Sequence, residues 1–594
     1  MIRRPLRPLA TIMNARAKGE NPDAIEKHNI KQRHEVMRDK ARQRAEGRLL
    51  VLGVVFLVAF GAIGFRMGAL ANSEAAEPRA ISGENFIVAQ RADIVDRQGR
   101  ILATNLETFS LYAQPNHMID KEHVVTELVK IFPDLNENRL RKDFTGKRKF
   151  LWVRKKISPE QKQMVHDIGD PGLLFGPRDM RLYPNGKLAA HVLGGAGFGR
   201  EGVNAAELIG VAGVERTFDE ALRDPANGGK ALTLSLDLTV QAATERVLYG
   251  GMKLLNAKGA AAVLMDVHTG EVLSLVSLPD FDPNERPRPL VEGDAADSPL
   301  FNRALQGVYE LGSTFKIFAT AQALELGLVN PDTVIDTKGP MKVGGHSIGE
   351  FKRKNYGKLS VTDIIVKSSN RGTGRIALQI GVARQKAFLK SLGLFEPTPI
   401  EITEASGGQP LLPAKWTDLS AVTVSYGHGL SSTPLHLATA YAALANGGRF
   451  VKPTILKQDQ ARYGPRVMRE DVAAASVKML RKVVTKGTAS FGEVPGYFVA
   501  GKTGTADKPK PTGGYYDDKV INTFASVFPA HSPKYVLVVT LDEPVETSGS
   551  EPRRTAGWTA VPVAAEIIER VAPLLGLRPQ VEPAVLTDIT LASH

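Results

Sequence analysis

One uninterrupted apolar run dominates the hydropathy pattern of this chain. It covers Leu49–Phe65, 17 residues without a charge, and a helix of that length spans about 26 Å, close to the ~30 Å core of a bilayer. The side chain of Arg66 is long enough to reach the interface, and the run continues through Met67–Ala71. Because the run has no amphipathic stripe, a buried core helix is disfavoured. The pattern predicts one transmembrane helix over residues 49–71.

A cleavable signal peptide is the alternative, since Ala69-Leu70-Ala71 has the small-x-small form of a cleavage site. The apolar run is longer than the core of a usual signal peptide. The polar segment before it is also far longer than the segment that precedes the apolar core of a usual signal peptide. We therefore expect an uncleaved anchor.

The charge distribution orients this helix. Residues 1–48 hold 13 Lys/Arg against 6 Asp/Glu, which supplies +7 of the chain's net charge of +13. Basic flanks remain in the cytoplasm, so residues 1–48 are predicted to be a solvated, basic cytoplasmic arm and residues from about 72 onward an extracytoplasmic body. Because the excess of positive charge is concentrated in this short arm, it does not indicate a nucleic-acid-binding face.

The body changes pattern near residue 231. Residues 90–230 mix short strand-like runs with turn signals, whereas the following part alternates β-rich and helical segments and ends in a tail over 577–594. Strands at both ends with helices between them predict an α+β fold, with an antiparallel sheet flanked by helices. The predicted strands are Ala260–Asp266, Glu271–Ser277, Phe498–Lys502, Thr523–Phe528 and Tyr535–Leu541, and the predicted helices are Ser313–Leu326, Val361–Leu378, Pro434–Ala445 and Val561–Leu575.

Composition removes several kinds of chemistry. The chain has no cysteine, which excludes thiol nucleophiles, disulfides, Fe–S clusters and Cys-ligated zinc. Its 12 histidines include no pair at i, i+4, so a helical His-pair metal site is not expected. We predict no metal.

Three short motifs carry candidate chemistry. Ser313 and Lys316 lie at i, i+3 at the head of an apolar helix, where a lysine of lowered pKa can deprotonate the serine. Ser368-Ser369-Asn370 offers a hydroxyl for proton relay and an amide for holding a substrate amide. Lys502-Thr503-Gly504-Thr505 follows an apolar strand and offers a cation and two hydroxyls to a carboxylate, with Gly504 expected to let a ligand approach closely.

The third motif also satisfies a competing pattern. Residues 496–503 match the phosphate-binding loop G-x-x-x-x-G-K-[ST], which requires a flexible loop followed by a helix. Here the four intervening residues are apolar and strand-like, and the Gly- and Pro-rich sequence after Thr503 is unsuited to a helix. A nucleotide site is therefore disfavoured.

In the order S-x-x-K, S-x-N, K-T-G, the motifs resemble the acyl-serine signature of penicillin-binding proteins and β-lactamases. Residues 88–575 resemble a class B penicillin-binding protein, with Leu311 in place of the usual Pro before the nucleophile and His436 in place of Gln. The resemblance extends to the family's pedestal motifs, which here include Arg91, Asp96, Arg97, Gly99, Arg181, Gly213 and Glu215.

This resemblance implies an elongated, mixed pedestal domain of the dimerisation type over 72–230, a transpeptidase domain over 231–576, and no cofactor. Peptidoglycan stem peptides would be the substrate and β-lactams the inhibitors. Ser313 would be the nucleophile, Lys316 its base, Ser368 the relay and Asn370 the donor-positioning residue. Lys502, Thr503, Gly504 and Thr505 would hold the terminal carboxylate, and the backbone N–H groups of Ser313 and Thr505 would form the oxyanion hole.

Within the family, Asn370 and the Tyr309-Glu310 pair before the nucleophile favour the septal branch, the FtsI type. That branch implies a single-pass protein of the inner membrane at the division septum. Its glycan strands would come from a membrane polymerase of the FtsW type, working with other division proteins. Three alternatives stay open: an elongation-type transpeptidase, a β-lactam-hydrolysing or β-lactam-sensing relative, and a non-catalytic division scaffold.

Overall fold

The computed structural model describes residues 7–72, 91–201, 206–510 and 512–580. The chain forms two compact units, residues 1–86 and 87–594. The first contains helices α1 (Arg7–Ala17) and α2 (Pro22–Asn72). Within α2, the segment Arg48–Met67 has a mean hydropathy of 2.4 and no buried residue, so this apolar helix is consistent with a membrane anchor. Residues 73–90, at the predicted start of the extracytoplasmic body, and residues 581–594, most of the predicted tail, fall outside the described residues.

The first part of the second unit is mixed, as predicted. A five-stranded sheet has the order β3-β2-β1-β7 with β4 also paired to β2, and β5 pairs with β6 separately. A small core of its own lies between this sheet and helices α3 to α5, around Leu128 and Phe144. The elements are β1 Ile94–Val95, β2 Ile101–Ala113, α3 Lys121–Ile131, α4 Glu137–Thr145, β3 Leu151–Ile157, α5 Pro159–His166, β4 Leu173–Leu182, α6 Ala190–Leu193, β5 Gly195–Glu201, β6 Ala206–Ala212, α7 Gly213–Thr217, α8 Asp219–Arg223 and β7 Leu232–Thr233.

The rest of the unit is built on a second five-stranded sheet, in the order β16-β17-β18-β8-β9 and antiparallel throughout. This confirms the predicted α+β fold. Its elements are α9 Leu238–Leu254, β8 Gly259–Asp266, β9 Val272–Leu278, α10 Lys316–Glu325, β10 Val334–Asp336, β11 Met341–Val343, β12 His346–Ile348, β13 Lys358–Ser360, α11 Val361–Lys367, α12 Asn370–Ile380, α13 Val382–Ser391, α14 Asp418–Ser425, α15 Pro434–Ala445, β14 Arg449–Val451, β15 Tyr463–Arg466, α16 Glu470–Lys486, β16 Ala500–Pro509, β17 Tyr515–Phe528, β18 Tyr535–Asp542 and α17 Ala560–Leu574.

Two helix groups cover this sheet. Helices α9 and α17 pack on each other and on the sheet, while α15 and α16 pack on each other and on its strands. Both faces are therefore buried, which explains why β18 is buried at every position from Val536 to Asp542 and is mostly apolar instead of alternating. The largest core extends from this sheet to Ile94 and Val214 of the preceding part.

Helix α15 shows what His436 does in the position where the family usually has Gln. Thr433 caps the helix, and its hydroxyl accepts from the N–H of His436. The His436 ring closes the capping box, because its Nδ1 accepts from the N–H of Thr433 at 3.3 Å. Its Nε2 lies 2.8 Å from the carbonyl oxygen of Glu396. The substitution keeps the cap that a Gln would provide.

Candidate active site

The turn that carries Ser313 is tighter than predicted. Gly312–Phe315 form a 3-10 helix, and the α-helix begins only at Lys316, so the predicted helical start at Ser313 was one turn early. With three residues per turn, side chains at i and i+3 of a 3-10 helix lie directly above one another. The Nζ atom of Lys316 lies 2.7 Å from Ser313 Oγ.

Lys316 is fully buried and surrounded by oxygen atoms. Its Nζ also lies 2.7 Å from Asn370 Oδ1, 2.9 Å from the carbonyl oxygen of Ser368 and 3.0 Å from Ser368 Oγ. Burial, followed by the nearby charge of Lys502, lowers the pKa of Lys316 well below its usual range, and Glu350 opposes this shift. A lowered pKa makes the neutral amine of Lys316 easier to form, and it is the neutral amine that can take a proton from a hydroxyl.

Ser368 lies at a break between two helices, where the sequence predicted one continuous helix over 361–378. Its backbone is left-handed, with φ of 58°, which ends α11. The hydroxyl of Ser369 then accepts from the N–H of Gly372 and caps α12. The break aims Ser368 Oγ between two lysines, 3.0 Å from the Nζ of both Lys316 and Lys502.

The K-T-G motif lies within the edge strand β16, not after a strand. Lys502 is fully buried, and burial lowers its pKa to about 7. Thr503 Oγ1 lies 2.7 Å from Thr488 Oγ1, and Thr505 Oγ1 accepts from the N–H of Ala556. Because the motif continues as a strand of an antiparallel sheet, the phosphate-binding-loop alternative is wrong.

Glycines bring the nucleophile turn against β16. A Cβ on Gly504 would lie 2.1 Å from the carbonyl oxygen of Leu311, and one on Gly312, whose φ is 58°, would lie 2.9 Å from the carbonyl oxygen of Thr505. A Cβ on Gly427 would lie 1.9 Å from the carbonyl oxygen of Gly312. The close approach expected at Gly504 is therefore made by the protein's own backbone. The backbones of Ser313 and Thr505, the predicted oxyanion hole, belong to these adjacent segments.

Sequence reasoning missed Glu350, which organises the S-x-N turn. This carboxylate is 6% exposed and accepts from Ser369 Oγ (2.5 Å), the N–H of Asn370 (2.8 Å) and the N–H of Arg371 (3.1 Å). It therefore satisfies N–H groups at the start of α12. Glu350 lies 18 residues before Ser368 in no motif, so no local signal marked it.

The pedestal motifs converge in space although they are far apart in sequence. Glu215 is fully buried and accepts from Arg91 Nε and Arg181 Nε, both at 2.7 Å, and from Tyr183 OH at 3.2 Å. Arg91 also pairs with Asp219 at 2.6 Å. A buried carboxylate with two cations and a hydroxyl has its charge compensated, which indicates a structural role.

The first pedestal motif closes a turn against α9. Asp96 accepts from Arg100 Nε (2.7 Å) and from the N–H of Leu238 (3.1 Å), and these hydrogen bonds lower its pKa against the opposing effect of burial. Gly99, with φ of 85°, makes the turn possible. Arg97 Nη2 lies 3.5 Å from Glu271. The other motif glycine, Gly213, has φ of 58° at the start of α7.

This arrangement can perform serine-based acyl transfer. Two serine hydroxyls, those of Ser313 and Ser368, lie in one hydrogen-bonded cluster with two buried lysines, Lys316 and Lys502. All five predicted catalytic residues, Ser313, Lys316, Ser368, Asn370 and Lys502, are in or next to it. The predicted roles of the individual residues stay predictions.

Comparisons with known proteins agree with this chemistry. Residues 260–569 match the penicillin-binding protein transpeptidase domain, and residues 86–235 match the penicillin-binding protein dimerisation domain. The chain is 33% identical to the probable peptidoglycan D,D-transpeptidase FtsI of Caulobacter vibrioides, over 93% of this chain and 92% of that protein. It is 28% identical to peptidoglycan D,D-transpeptidase FtsI of Escherichia coli K12, over 83% and 85% of the two chains.

Among solved structures, penicillin-binding protein 3 of Mycobacterium tuberculosis in its apo form is similar, with a TM-score of 0.61 and 26% identity. The match covers 84% of this chain and 99% of that one. The two matched domains and this extent of similarity identify the family. The chain belongs to the class B penicillin-binding proteins, the serine D,D-transpeptidases of peptidoglycan.

Proposed function

We propose that this protein cross-links peptidoglycan stem peptides during septal wall synthesis, through an acyl-enzyme on Ser313. The observation that carries the proposal is the hydrogen-bonded cluster around two buried lysines, in which Lys316 Nζ lies 2.7 Å from Ser313 Oγ and Ser368 Oγ lies 3.0 Å from the Nζ of both lysines.

Acylation begins when the neutral amine of Lys316 takes the hydroxyl proton of Ser313. Ser313 Oγ bonds to the carbonyl carbon of the penultimate D-Ala, and the backbone N–H groups of Ser313 and Thr505 stabilise the oxyanion. The C–N bond to the terminal D-Ala then breaks. The leaving amine takes a proton through Ser368, whose hydroxyl lies between Lys316 and Lys502.

The substrate is held at both ends of the scissile bond. Asn370 positions the donor peptide through its amide, while Lys502, Thr503 and Thr505 hold the terminal carboxylate beside Gly504. An amine of a neighbouring stem peptide then attacks the acyl-enzyme and returns the proton to Ser313 Oγ, which completes the cross-link. A β-lactam acylates Ser313 in the same way, but its leaving nitrogen stays tethered, so the adduct persists.

We assign residues 1–48 to a basic cytoplasmic arm, 49–71 to a transmembrane anchor, 72–230 to the pedestal, 231–576 to the transpeptidase domain and 577–594 to a tail. The basic arm before the apolar helix supports an N-terminus in the cytoplasm and a catalytic domain outside the inner membrane. The FtsI names of relatives that match most of the chain support a septal role. By the same analogy, a membrane polymerase of the FtsW type and other division proteins would be its partners.

Depletion of the protein in its own bacterium tests the septal assignment. Long cells without septa, with the fluorescently tagged protein at midcell, are the expected result. Rounded or widened cells with the protein along the side wall would instead indicate an elongation-type transpeptidase. A variant with Ser313→Ala, expressed during depletion, should fail to restore division, whereas full restoration would indicate a scaffold.

A further inference from the structure

The net charge of the extracytoplasmic part is concentrated beside the active site. Residues 336–375 contain nine Lys/Arg and three Asp/Glu, a net charge of +6. Residues 49–594 as a whole also carry +6, so everything outside this 40-residue segment sums to zero. We call the nine Lys/Arg side chains of 336–375 the basic surface.

The basic surface is not neutralised within the described residues. None of its nine cations forms an ion pair with a described carboxylate. The three acids of the segment have other partners: Asp336 accepts from the N–H of Lys338, Asp363 accepts from the hydroxyl of Ser360, and Glu350 caps α12. Like charges that have no counter-ion repel one another, so the surface favours binding of an external anion.

The same segment is tied directly to the catalytic residues. Lys367 and Arg371 flank the S-x-N turn in sequence, and Arg371 Nε donates to the carbonyl oxygen of Ile348 at 3.1 Å. The chain then runs from Glu350, which accepts from the N–H of Asn370, into Phe351 and the cationic residues 352–354. The cations therefore begin two residues from a side chain that contacts the active-site turn.

The tip of this segment presents its charges outward. Lys352, Arg353 and Lys354 are all exposed, and Phe351 among them is 57% exposed. Lys352 and Arg353 have φ of 54° and 56°, a left-handed backbone that side-chain-bearing residues rarely adopt. Strained backbone of this kind is typical of binding loops.

We propose that the basic surface binds the free carboxylates of the stem peptide that enters the active site. This rests on the proposed function and adds a feature of the substrate that the enzyme recognises. Stem peptides carry carboxylates along their length, on γ-linked glutamate and on diamino acids, and these are free in some walls and amidated in others. Charge complementarity and continuity with Ser368–Asn370 favour a ligand that reaches the nucleophile over an acidic protein or a membrane surface.

A matched pair of reversible inhibitors tests the proposal on the full-length protein in non-ionic detergent. Both are stem peptides ending in a boronic acid that bonds to Ser313; one has two free carboxylates and the other has both amidated. Their inhibition constants are measured by competition with a fluorescent penicillin, at low and at high ionic strength.

The wild type should bind the carboxylate peptide about tenfold more tightly at low ionic strength, and salt should remove most of that preference. The triple variant Lys352→Gln, Arg353→Gln, Lys354→Gln should lose the preference. Lys352→Arg with Lys354→Arg should keep it. The matched control, Lys390→Gln with Lys478→Gln and Lys482→Gln, removes three exposed charges elsewhere and should also keep it.

The outcomes distinguish failure of the basic-surface proposal from failure of the proposed function. If the wild type binds both peptides equally, or the control loses as much preference as the triple variant, the basic surface does not recognise stem-peptide carboxylates, although the proposed function stands. If neither peptide competes with the fluorescent penicillin, the stem-peptide function itself fails, and the basic surface proposal fails with it.

Discussion

Replacing Glu350 by Gln tests whether this carboxylate positions the S-x-N turn. One of its oxygens accepts from Ser369 and Arg371, and the other accepts from the N–H of Asn370. A Gln side chain has one acceptor oxygen and an NH2 group, so it can replace at most one of the two carboxylate oxygens as an acceptor. At least one buried donor then faces another donor.

The size of the effect follows from the hydrogen bonds lost. A hydrogen bond to a charged group contributes about 1.5–3 kcal/mol. If a misplaced Asn370 stabilises the transition state less by that amount, acylation slows roughly 10- to 100-fold. Glu350→Ala leaves all three donors without this acceptor and should slow acylation more, with a lower midpoint of thermal unfolding.

The pH profile separates this role from a general loss of stability. In the proposed mechanism Lys316 acts as a base when neutral, so acylation should rise with pH through the pKa of Lys316. Glu350 raises that pKa while burial and Lys502 lower it. Removing the negative charge should therefore lower the pKa further and move the rising limb to lower pH, even as the maximal rate falls.

The assay is the second-order rate constant for acylation of the full-length protein by a fluorescent penicillin between pH 5 and 10. Asp336→Asn removes an exposed carboxylate from the same segment and is the matched control; its profile should coincide with that of the wild type. A Glu350→Gln profile with an unchanged midpoint, or one moved to higher pH, would refute this account of Glu350.

Three further predictions concern packing, capping and the buried pedestal network. Gly504→Ala should abolish penicillin acylation or soluble expression, because its Cβ would lie 2.1 Å from the carbonyl oxygen of Leu311; normal acylation and a normal melting temperature would contradict the packing argument. His436→Gln should preserve the capping box and the melting temperature, whereas His436→Ala should lower the free energy of unfolding by about 1 kcal/mol. If both variants lower the free energy of urea unfolding equally, the capping role of His436 is contradicted. Burial lowers the pKa of His436 to about 4, so its contribution to stability should be complete above pH 6.5 and fade as the pH falls towards 4; His436→Gln should be less acid-sensitive than the wild type. Glu215→Gln should destabilise the protein by about 3–5 kcal/mol in the same unfolding assay, because two buried arginines lose their counter-charge, and a loss below about 1 kcal/mol would show that the network is not structural.

Much of the fold was predictable because its signals are local. The apolar runs of β8 and β18, and helix α15 between Pro434 and Asn446, lie where the pattern placed them. The break at Ser368 was not predictable, because the sequence around it is compatible with a helix. It depends on the left-handed backbone of Ser368 and on Glu350, which accepts from the hydroxyl of the next residue, Ser369.

The candidate site was also predictable only in part. Motif spacing predicted that Ser313, Ser368 and Lys502 act together, since those residue types share one chemistry. It could not predict that Gly504 accommodates the carbonyl of Leu311, because that contact joins segments 193 residues apart. Nor could it identify the basic surface, whose cations are spread over residues 336–375 in no recognisable motif.

The central claim is that Ser313 is a nucleophile activated by Lys316, and intact mass spectrometry tests it most directly. Full-length protein in detergent is incubated with benzylpenicillin beside Ser313→Ala and Lys316→Ala. We expect one long-lived penicillin adduct on the wild type, none on Ser313→Ala and little on Lys316→Ala. An unmodified wild type, or an adduct retained by Ser313→Ala, would contradict the assignment of the nucleophile, and rapid loss of the adduct with consumption of the drug would identify a β-lactam hydrolase instead.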